Sequence, residues 1–195
     1  MHPLLKQHIE RTIAQTLPAD SEKIFAELLL EQVFQKGDFL AEEGKPCHAI
    51  YFITQGAACA YFLDAKGEKN AMQLALEGHW ISDLSSFFSG QAAMYSIEAL
   101  EPLKVLVLKK ENFTKASQAF PFFDRLFRIL IQNAYVSLQQ RLAKTNAELA
   151  ENRYLAFVKQ YPDFVQRIPQ YLIASYLGIK PQSLSRIRKA MAHTK

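Results

Sequence analysis

The chain between about residue 31 and residue 110 is divided into short apolar runs by regularly spaced glycines. Five glycines recur at intervals of 7 to 12 residues, and they are Gly37, Gly44, Gly56, Gly67 and Gly78. The runs between them are rich in β-branched and aromatic residues, which favour strands. We predict strands at residues 32–35, 49–54, 57–63, 70–76, 96–100 and 104–108. This turn spacing is typical of an antiparallel sandwich or roll and argues against a parallel sheet with crossover helices.

Apolar residues with helical spacing precede the strand region. They form one stripe and then, after a break at Pro18, a second stripe. The first stripe comprises Leu4, Leu5, Ile9 and Ile13, and the second comprises Ile24, Leu28 and Leu29. We therefore expect an N-terminal helical cover over the roll.

A longer helical pattern, residues 122–151, follows the last predicted strand. Its apolar positions keep a 4-3-4-4-3-4 spacing for about six turns. These positions are Phe127, Ile131, Ala134, Leu138, Leu142, Thr145 and Leu149. Because this seam is longer than one small domain needs, we predict a homodimer interface formed by the first five of these residues. The alternative is a helix that packs entirely on its own roll, since a stripe alone does not identify its partner.

Residues 168–189, IPQYLIASYLGIKPQSLSRIRK, have the spacing of two short helices that meet at a tight turn. Gly178 stands between the two apolar stripes and can adopt a positive φ without strain. Pro169 and Pro181 stand near the predicted helix starts, where a missing N–H has no helical partner to lose. The two stripes are Ile173, Ala174 and Leu177, then Leu184 and Ile187. This pattern predicts a helix-turn-helix.

The outward face of the second helix is polar and basic. It presents Gln182, Ser183, Arg186 and Lys189, which can form hydrogen bonds to base edges and phosphates. We predict that Arg186 contacts a base with Gln182 beside it. Ser183, Arg188 and Lys189 are predicted to contact phosphates. An ordinary helical hairpin with a solvated polar face is the alternative.

Charge is distributed unevenly along the chain. Residues 1–120 carry 11 Lys and Arg against 15 Asp and Glu, whereas residues 121–195 carry 12 against 4. Lys and Arg release counterions when they bind DNA, so the basic C-terminal part suits double-stranded DNA as a partner. The acidic N-terminal part would be repelled by the same polymer.

Composition and motifs exclude several classes of protein. With 195 residues, 49% of them hydrophobic, the chain can bury one good core and a small second one. It shows no secretory leader and no uninterrupted apolar span, so we expect a cytoplasmic protein that does not enter a membrane.

Chemistry-bearing residues are too scattered to form a reaction centre. His2, His8, His48, His79 and His193 lack the spacing of metal ligands. Cys47 and Cys59 are too few for an iron–sulfur site and are predicted to be buried free thiols. No nucleophile motif or phosphate loop is present. We therefore predict no enzyme, no metal and no cofactor, and the alternative to a DNA-binding regulator is a ligand-sensing or scaffold module.

The order of parts, a strand roll, a long helix and a helix-turn-helix, resembles the CRP/FNR family of bacterial transcription regulators across nearly the whole chain. Residues 44–56, GKPCHAIYFITQG, resemble the family's glycine-bounded hairpin, and residues 64–68 resemble its next turn. Residues 173–178 with Ser185 and Arg186 resemble its helix-turn-helix. The resemblance implies an α+β fold: a jelly roll of the cyclic-nucleotide-binding type (1–120), a dimerisation helix (121–151) and a DNA-binding domain (152–195). It also implies a small-molecule effector and RNA polymerase as partners.

The phosphate-binding cassette differs from that of the family's cyclic AMP receptors. Those receptors have Gly-Glu-Leu followed by Arg-Ser, and the matching positions here are Ser82, Asp83, Leu84, Ala93 and Met94. No Lys or Arg occurs from residue 79 to residue 103, so a buried phosphate would lack charge-assisted hydrogen bonds. We predict an effector pocket at these five residues that does not use cyclic AMP. Asp83 either holds a ligand hydroxyl or amine, or caps a short helix at residues 85–88.

Overall fold

The computed structural model describes residues 1–193; the predicted DNA-binding domain ends two residues later, outside this range. Within it, eight strands form two four-stranded sheets, and their antiparallel roll is the architecture that the glycine spacing predicts, with two strands more than expected. They are β1 (Leu30–Phe34), β2 (Phe39–Ala41), β3 (Ala49–Gln55), β4 (Ala58–Leu63), β5 (Lys69–Ala75), β6 (Trp80–Ile81), β7 (Ser96–Ala99) and β8 (Leu103–Lys109). The strand orders are β1-β8-β3-β6 and β2-β7-β4-β5, with every neighbouring pair antiparallel.

Strand β3 shows why the central runs are apolar throughout. Successive side chains of a strand point to opposite faces, and here both faces are covered. Tyr51 and Ile53 lie in the core between the two sheets, whereas Ile50 and Phe52 lie in a second core under the helices outside. The roll is therefore filled within, and the sheet that contains β3 is covered on its outer face by helices.

Nine helices surround the roll and continue to the C-terminal end of the described range. They are α1 (Pro3–Ile13), α2 (Ala19–Glu27), α3 (Leu84–Ser89), α4 (Lys110–Ala119), α5 (Pro121–Ala147), α6 (Ala150–Gln160), α7 (Pro162–Arg167), α8 (Gln170–Tyr176) and α9 (Pro181–His193). None of the helices in residues 1–193 combines the length and apolarity needed to cross a membrane.

The N-terminal cover is present, with one correction. Leu5, Ile9 and Ile13 of α1 are buried as predicted. In α2, however, Ile24 is 51% exposed and Phe25 is fully buried instead. Phe25 packs against the ring of Phe123 at 5.5 Å, an aromatic contact that a count of aliphatic spacing does not detect.

The long helix α5 ends at Ala147, before its predicted end at residue 151. Glu148 has extended φ and ψ, and α6 begins at Ala150. The Arg153 guanidinium donates to the carbonyl oxygens of Thr145 and Glu148, which replaces the hydrogen bonds a continuing helix would supply. Leu149 thus leaves the predicted seam and is 74% exposed.

Five elements were absent from the predicted strand and helix pattern, namely β2, β6, α4, α6 and α7. Strands β2 and β6 have only three and two residues, too few for an alternation to show. Helix α4 buries only Ala116 completely, so its apolar stripe is weak.

The hairpin between β3 and β4 depends on Gly56. Its φ is +100°, and an added Cβ would lie 2.5 Å from the Pro102 carbonyl oxygen, so a larger residue would not fit there.

Candidate nucleic-acid interface and sensor cassette

The predicted helix-turn-helix is present as α8, a short turn and α9. Gly178 has φ +64°, so the turn uses the conformation for which glycine was singled out. The Ile179 N–H donates to the Ala174 carbonyl oxygen at 2.8 Å and closes the end of α8. Ile173 and Leu184, one from each helix, are buried in the same core.

Helix α9 presents an exposed basic face, as its sequence predicts. Gln182, Arg186, Arg188 and Lys189 are exposed, and Ser183 is half-buried. Positions 182, 186 and 189 are spaced to share one face of a helix. Helix α9 contains no Asp or Glu, and within residues 1–193 none of its three cations forms an ion pair. The charge of this face is therefore available to a polyanion.

A groove between the start of α8 and α9 adjoins this basic face. Its volume is about 510 Å³, and its walls include Tyr171, Ser185, Arg188 and Lys189. Tyr171 is 49% exposed and was not identified from the sequence. The sequence feature that could have identified Tyr171 is its position two residues after Pro169, in the first turn of the helix that precedes the basic one. Tyr171 adds a phenolic donor next to the predicted phosphate contacts.

The helix-turn-helix is packed on the roll through α8. The Ala71 N–H of β5 donates to Ser175 Oγ at 2.9 Å, and apolar residues of β4, β5 and α6–α9 form one continuous core. Arg167 donates two hydrogen bonds to Glu77, at 2.7 and 3.0 Å, and a third to Glu101. Hydrogen bonds to Glu77 and Glu101 raise the pKa of Arg167. Burial raises the pKa of Glu77, but the bonds from Arg167 and the Gly56 N–H outweigh it, so that pKa lies below its ordinary value.

Two arginines join α5 to the helix-turn-helix. Arg153 donates to the carbonyl oxygens of Leu177 at 3.0 Å and Gly178 at 3.1 Å, in addition to its bonds at the end of α5. Arg141 donates to the carbonyl oxygen of Tyr176 at 3.2 Å, and its guanidinium lies 4.6 Å from the centre of the Tyr176 ring. The end of α8 is thus bonded directly to α5, and the turn that follows is bonded to α6 through Arg153.

The cassette residues meet around Asp83, which is fully buried. One carboxylate oxygen accepts from the Ser86 N–H at 3.0 Å and caps α3, and the other accepts from the Met94 N–H at 2.8 Å. The capping alternative for Asp83 is therefore present. Ser82 Oγ donates to the Ala49 carbonyl oxygen at 2.9 Å.

The other predicted pocket residues occupy different surroundings. Ala93 is buried, whereas the Met94 side chain is 67% exposed. Leu84 packs against the core under the outer helices. Inside the roll, the Tyr95 hydroxyl donates to the Ser82 carbonyl oxygen at 3.0 Å, and burial and the Asp83 charge raise the Tyr95 pKa. The Asp83 carboxylate thus joins the start of α3 to Met94, whereas Ser82 is bonded to Ala49 and Tyr95. Asp83 takes part in none of the ion pairs found among residues 1–193.

The predicted dimer seam divides into a buried end and an exposed middle. Phe127 is buried against Phe113 and Phe123 of its own chain. Ile131, Leu138 and Leu142 are 42%, 49% and 59% exposed, and Ala134 is also exposed. Tyr135, 60% exposed, lies one turn after Ile131 and extends the same apolar face, although the predicted seam places Ala134 at this step.

The described residues contain no cluster of His, Cys, Asp and Glu that could hold a metal. Cys47 and Cys59 are buried free thiols, as predicted, and burial raises the pKa of Cys59 to about 12. The side chain of His193 lies outside the described part of the chain.

Comparison with known proteins agrees with this arrangement. The family model of the cyclic nucleotide-binding domain matches residues 31–119. The transcriptional regulatory protein btr of Bordetella pertussis is 26% identical over 183 residues, which cover 88% of this chain and 75% of that protein. The cAMP-activated global transcriptional regulator CRP of Escherichia coli is 22% identical over 167 residues, which cover 78% of this chain and 77% of CRP.

Solved structures share the fold over most of the chain. FixK2 from Bradyrhizobium japonicum has a TM-score of 0.73 at 18% identity, covering 85% of each chain. The c-di-GMP responsive global regulator CLP of Xanthomonas campestris has a TM-score of 0.70 at 11% identity, covering 91% of this chain and 93% of that chain. The cyclic nucleotide-binding domain, the long helix and the C-terminal helix-turn-helix together give the chain the architecture of the CRP/FNR family of transcription regulators.

Proposed function

We propose that this regulator binds DNA as a homodimer, with one α9 from each protomer in the major groove. The observation that carries this proposal is the basic face of α9, which is exposed and has no ion pair within the described residues. Two-fold dimers of this class bind half-sites about 34 Å apart, so operator symmetry would match protein symmetry. The exposed residues Ile131, Leu138 and Leu142 of α5 supply an apolar face for the second protomer.

The side chains of α9 are proposed to have different roles. Arg186 has the planar guanidinium that recognises guanine through two hydrogen bonds, and Gln182 lies one turn before it on the same face. Ser183, Arg188 and Lys189 flank this position and are assigned to phosphates, which fix the register without recognising sequence. Arg188 and Lys189 also line the groove beside α8.

Binding to operator DNA at two salt concentrations tests these assignments. Arg186→Ala should cost about 1–3 kcal/mol on the preferred site and relax its specificity, whereas Lys189→Ala should weaken all sequences alike and lower the salt slope by about one. Lys36→Ala is the matched control, because it removes an exposed cation from the roll.

The two unfavourable outcomes have different meanings. If Arg186→Ala left operator preference intact, the base contact would be wrongly assigned. If the wild type showed no salt-dependent binding to any DNA, a scaffold or ligand-sensing module would replace the regulator.

The cassette is proposed to bind no cyclic AMP. Both oxygens of Asp83 already accept backbone N–H groups, and the Arg141 guanidinium of the same chain is bonded to Tyr176 rather than free to replace the missing cassette cation. The part of an effector that contacts Ser82, Asp83, Leu84, Ala93 and Met94 would therefore be uncharged.

As a DNA-binding regulator, the protein would act in the cytoplasm and affect RNA polymerase at the promoter.

A further inference from the structure

A cavity of about 470 Å³ lies outside the roll, between α1, β6 and α5. It lies on the outer side of the roll, because its walls include Ile50, which faces the outer core, and Trp80, which packs in that same core. Ser82 and Leu84 of the cassette also reach its wall. Helix α5 contributes Leu130, Ile131 and Ala134 to the opposite wall. We call this space the lateral cavity.

The lateral cavity contains polar atoms that have no partner among the described residues. Both ring nitrogens of His8 and Nε1 of Trp80 are buried without a hydrogen bond. The two rings are 6.5 Å apart in an edge-to-face arrangement. Buried polar groups are normally satisfied, so three unsatisfied nitrogens on two side chains of one cavity wall favour a bound molecule that reaches them and supplies hydrogen-bond partners.

The charge of the cavity wall favours an anion. Arg11 lies one turn after His8 on α1 and lines the cavity, and its guanidinium forms no ion pair with the residues that the structure describes. Burial, and secondarily the Arg11 charge, lowers the His8 pKa to about 4, so the imidazole is neutral near pH 7 and offers one donor. Glu77 also lines the cavity, but its carboxylate is already paired with Arg167.

We propose that the lateral cavity binds a small carboxylic acid with an apolar body. The carboxylate lies beside Arg11 and accepts hydrogen bonds from His8 and from the Trp80 N–H. The apolar body lies against Ile50, Leu130 and Ile131, which offer no competing polar group. This site shares Ser82 and Leu84 with the cassette but takes its cation, Arg11, from α1.

The same cavity would place the ligand next to the proposed dimer interface. Ile131 and Ala134 belong both to its wall and to the predicted seam of α5. Ligand binding would then change the packing of α5 against its partner. This effect on α5 packing rests on the proposed dimer, whereas ligand binding in the lateral cavity does not.

Trp80 is the only tryptophan in the chain, so its fluorescence reports on this cavity alone. We would titrate the full-length protein with octanoate as the probe, and with octanol and octylamine as uncharged and cationic controls. Octanoate should change the emission saturably and bind more tightly than octylamine. Arg11→Gln should weaken octanoate about tenfold and leave octanol unchanged, since it removes the charged partner only.

Lys23→Gln serves as the matched control, because it removes an exposed cation from the neighbouring helix α2. His8→Phe should also weaken octanoate while keeping an aromatic ring against Phe52. An absent or unsaturable emission change, or equal octanoate affinity in Arg11→Gln and Lys23→Gln, would overturn the site. Light scattering without ligand measures the dimer separately, so failure of the binding site and failure of the dimer are distinguishable.

Discussion

Replacing Gly178 with alanine tests how closely the helix-turn-helix is held on α5. Gly178 has φ +64°, and an added Cβ would lie 2.9 Å from Thr145 Cγ2. An L-residue in this conformation costs about 1–2 kcal/mol, and overpacking adds about 1–3 kcal/mol. Loss of unfolded-state freedom returns about 0.4–1 kcal/mol, so the free energy of unfolding should fall by about 2–4 kcal/mol.

Gly90→Ala separates the two contributions. Gly90 has a similar φ of +75°, but an added Cβ there would meet nothing within 4 Å. It should therefore cost only about 1 kcal/mol, from the backbone conformation alone. Urea unfolding measures both variants as a shift of the midpoint at constant slope.

Thr145→Ser removes the methyl group that would clash and keeps the hydroxyl that donates to the Arg141 carbonyl oxygen at 2.8 Å. In a double-mutant cycle it should recover about 1–3 kcal/mol of the Gly178→Ala loss. If Gly178→Ala were no more destabilising than Gly90→Ala, or if Thr145→Ser gave no recovery, the contact between α5 and the turn would be wrongly described.

Three other changes test separate parts of the molecule. Leu138→Glu places a charge in the exposed seam, so light scattering should show a monomer with the roll still folded, and an unchanged dimer mass would contradict this interface. Calorimetry with cyclic AMP and cyclic GMP should show no micromolar binding, because a missing ionic partner costs about 3–5 kcal/mol, or two to four decades of affinity; micromolar binding abolished by Asp83→Ala would show the opposite. Because the His8 pKa falls from 6.5 to about 4 on folding, the unfolded chain binds more protons between these values. Stability should therefore decrease as the pH falls through that window, and a wild-type slope equal to that of His8→Phe would exclude His8 as its source.

The sequence predicted the elements whose signals are local. The helix-turn-helix followed from Gly178 and the apolar stripes around it, and the Asp83 cap followed from a carboxylate placed just before a short helix. The main strands of the roll followed from glycine spacing and residue type. Each of these signals is carried by one continuous segment of the chain.

Contacts between residues that are far apart in the chain could not be predicted from the sequence. Arg167 and Glu77 are 90 residues apart, and neither the charge nor the spacing of either residue identifies the other. The lateral cavity likewise combines His8, Trp80 and Ile131 from three separate elements. In the sequence, His8 has no chemically related residue near it, because the residues that surround it in the structure come from distant segments.

The two ends of α5 are fixed to different parts of the chain, and this limits how the helix can move. Phe127 is packed in the outer core of the roll, while Thr145 contacts the turn after α8. A slide by one helical turn would displace both contacts by about 5.4 Å. Pivoting is less restricted: α5 has 27 residues and is about 40 Å long, so a tilt of about 5° moves its far end by about 3.5 Å. In a dimer, such a tilt would change the distance between the two α9 helices and hence their match to the spacing of the DNA half-sites.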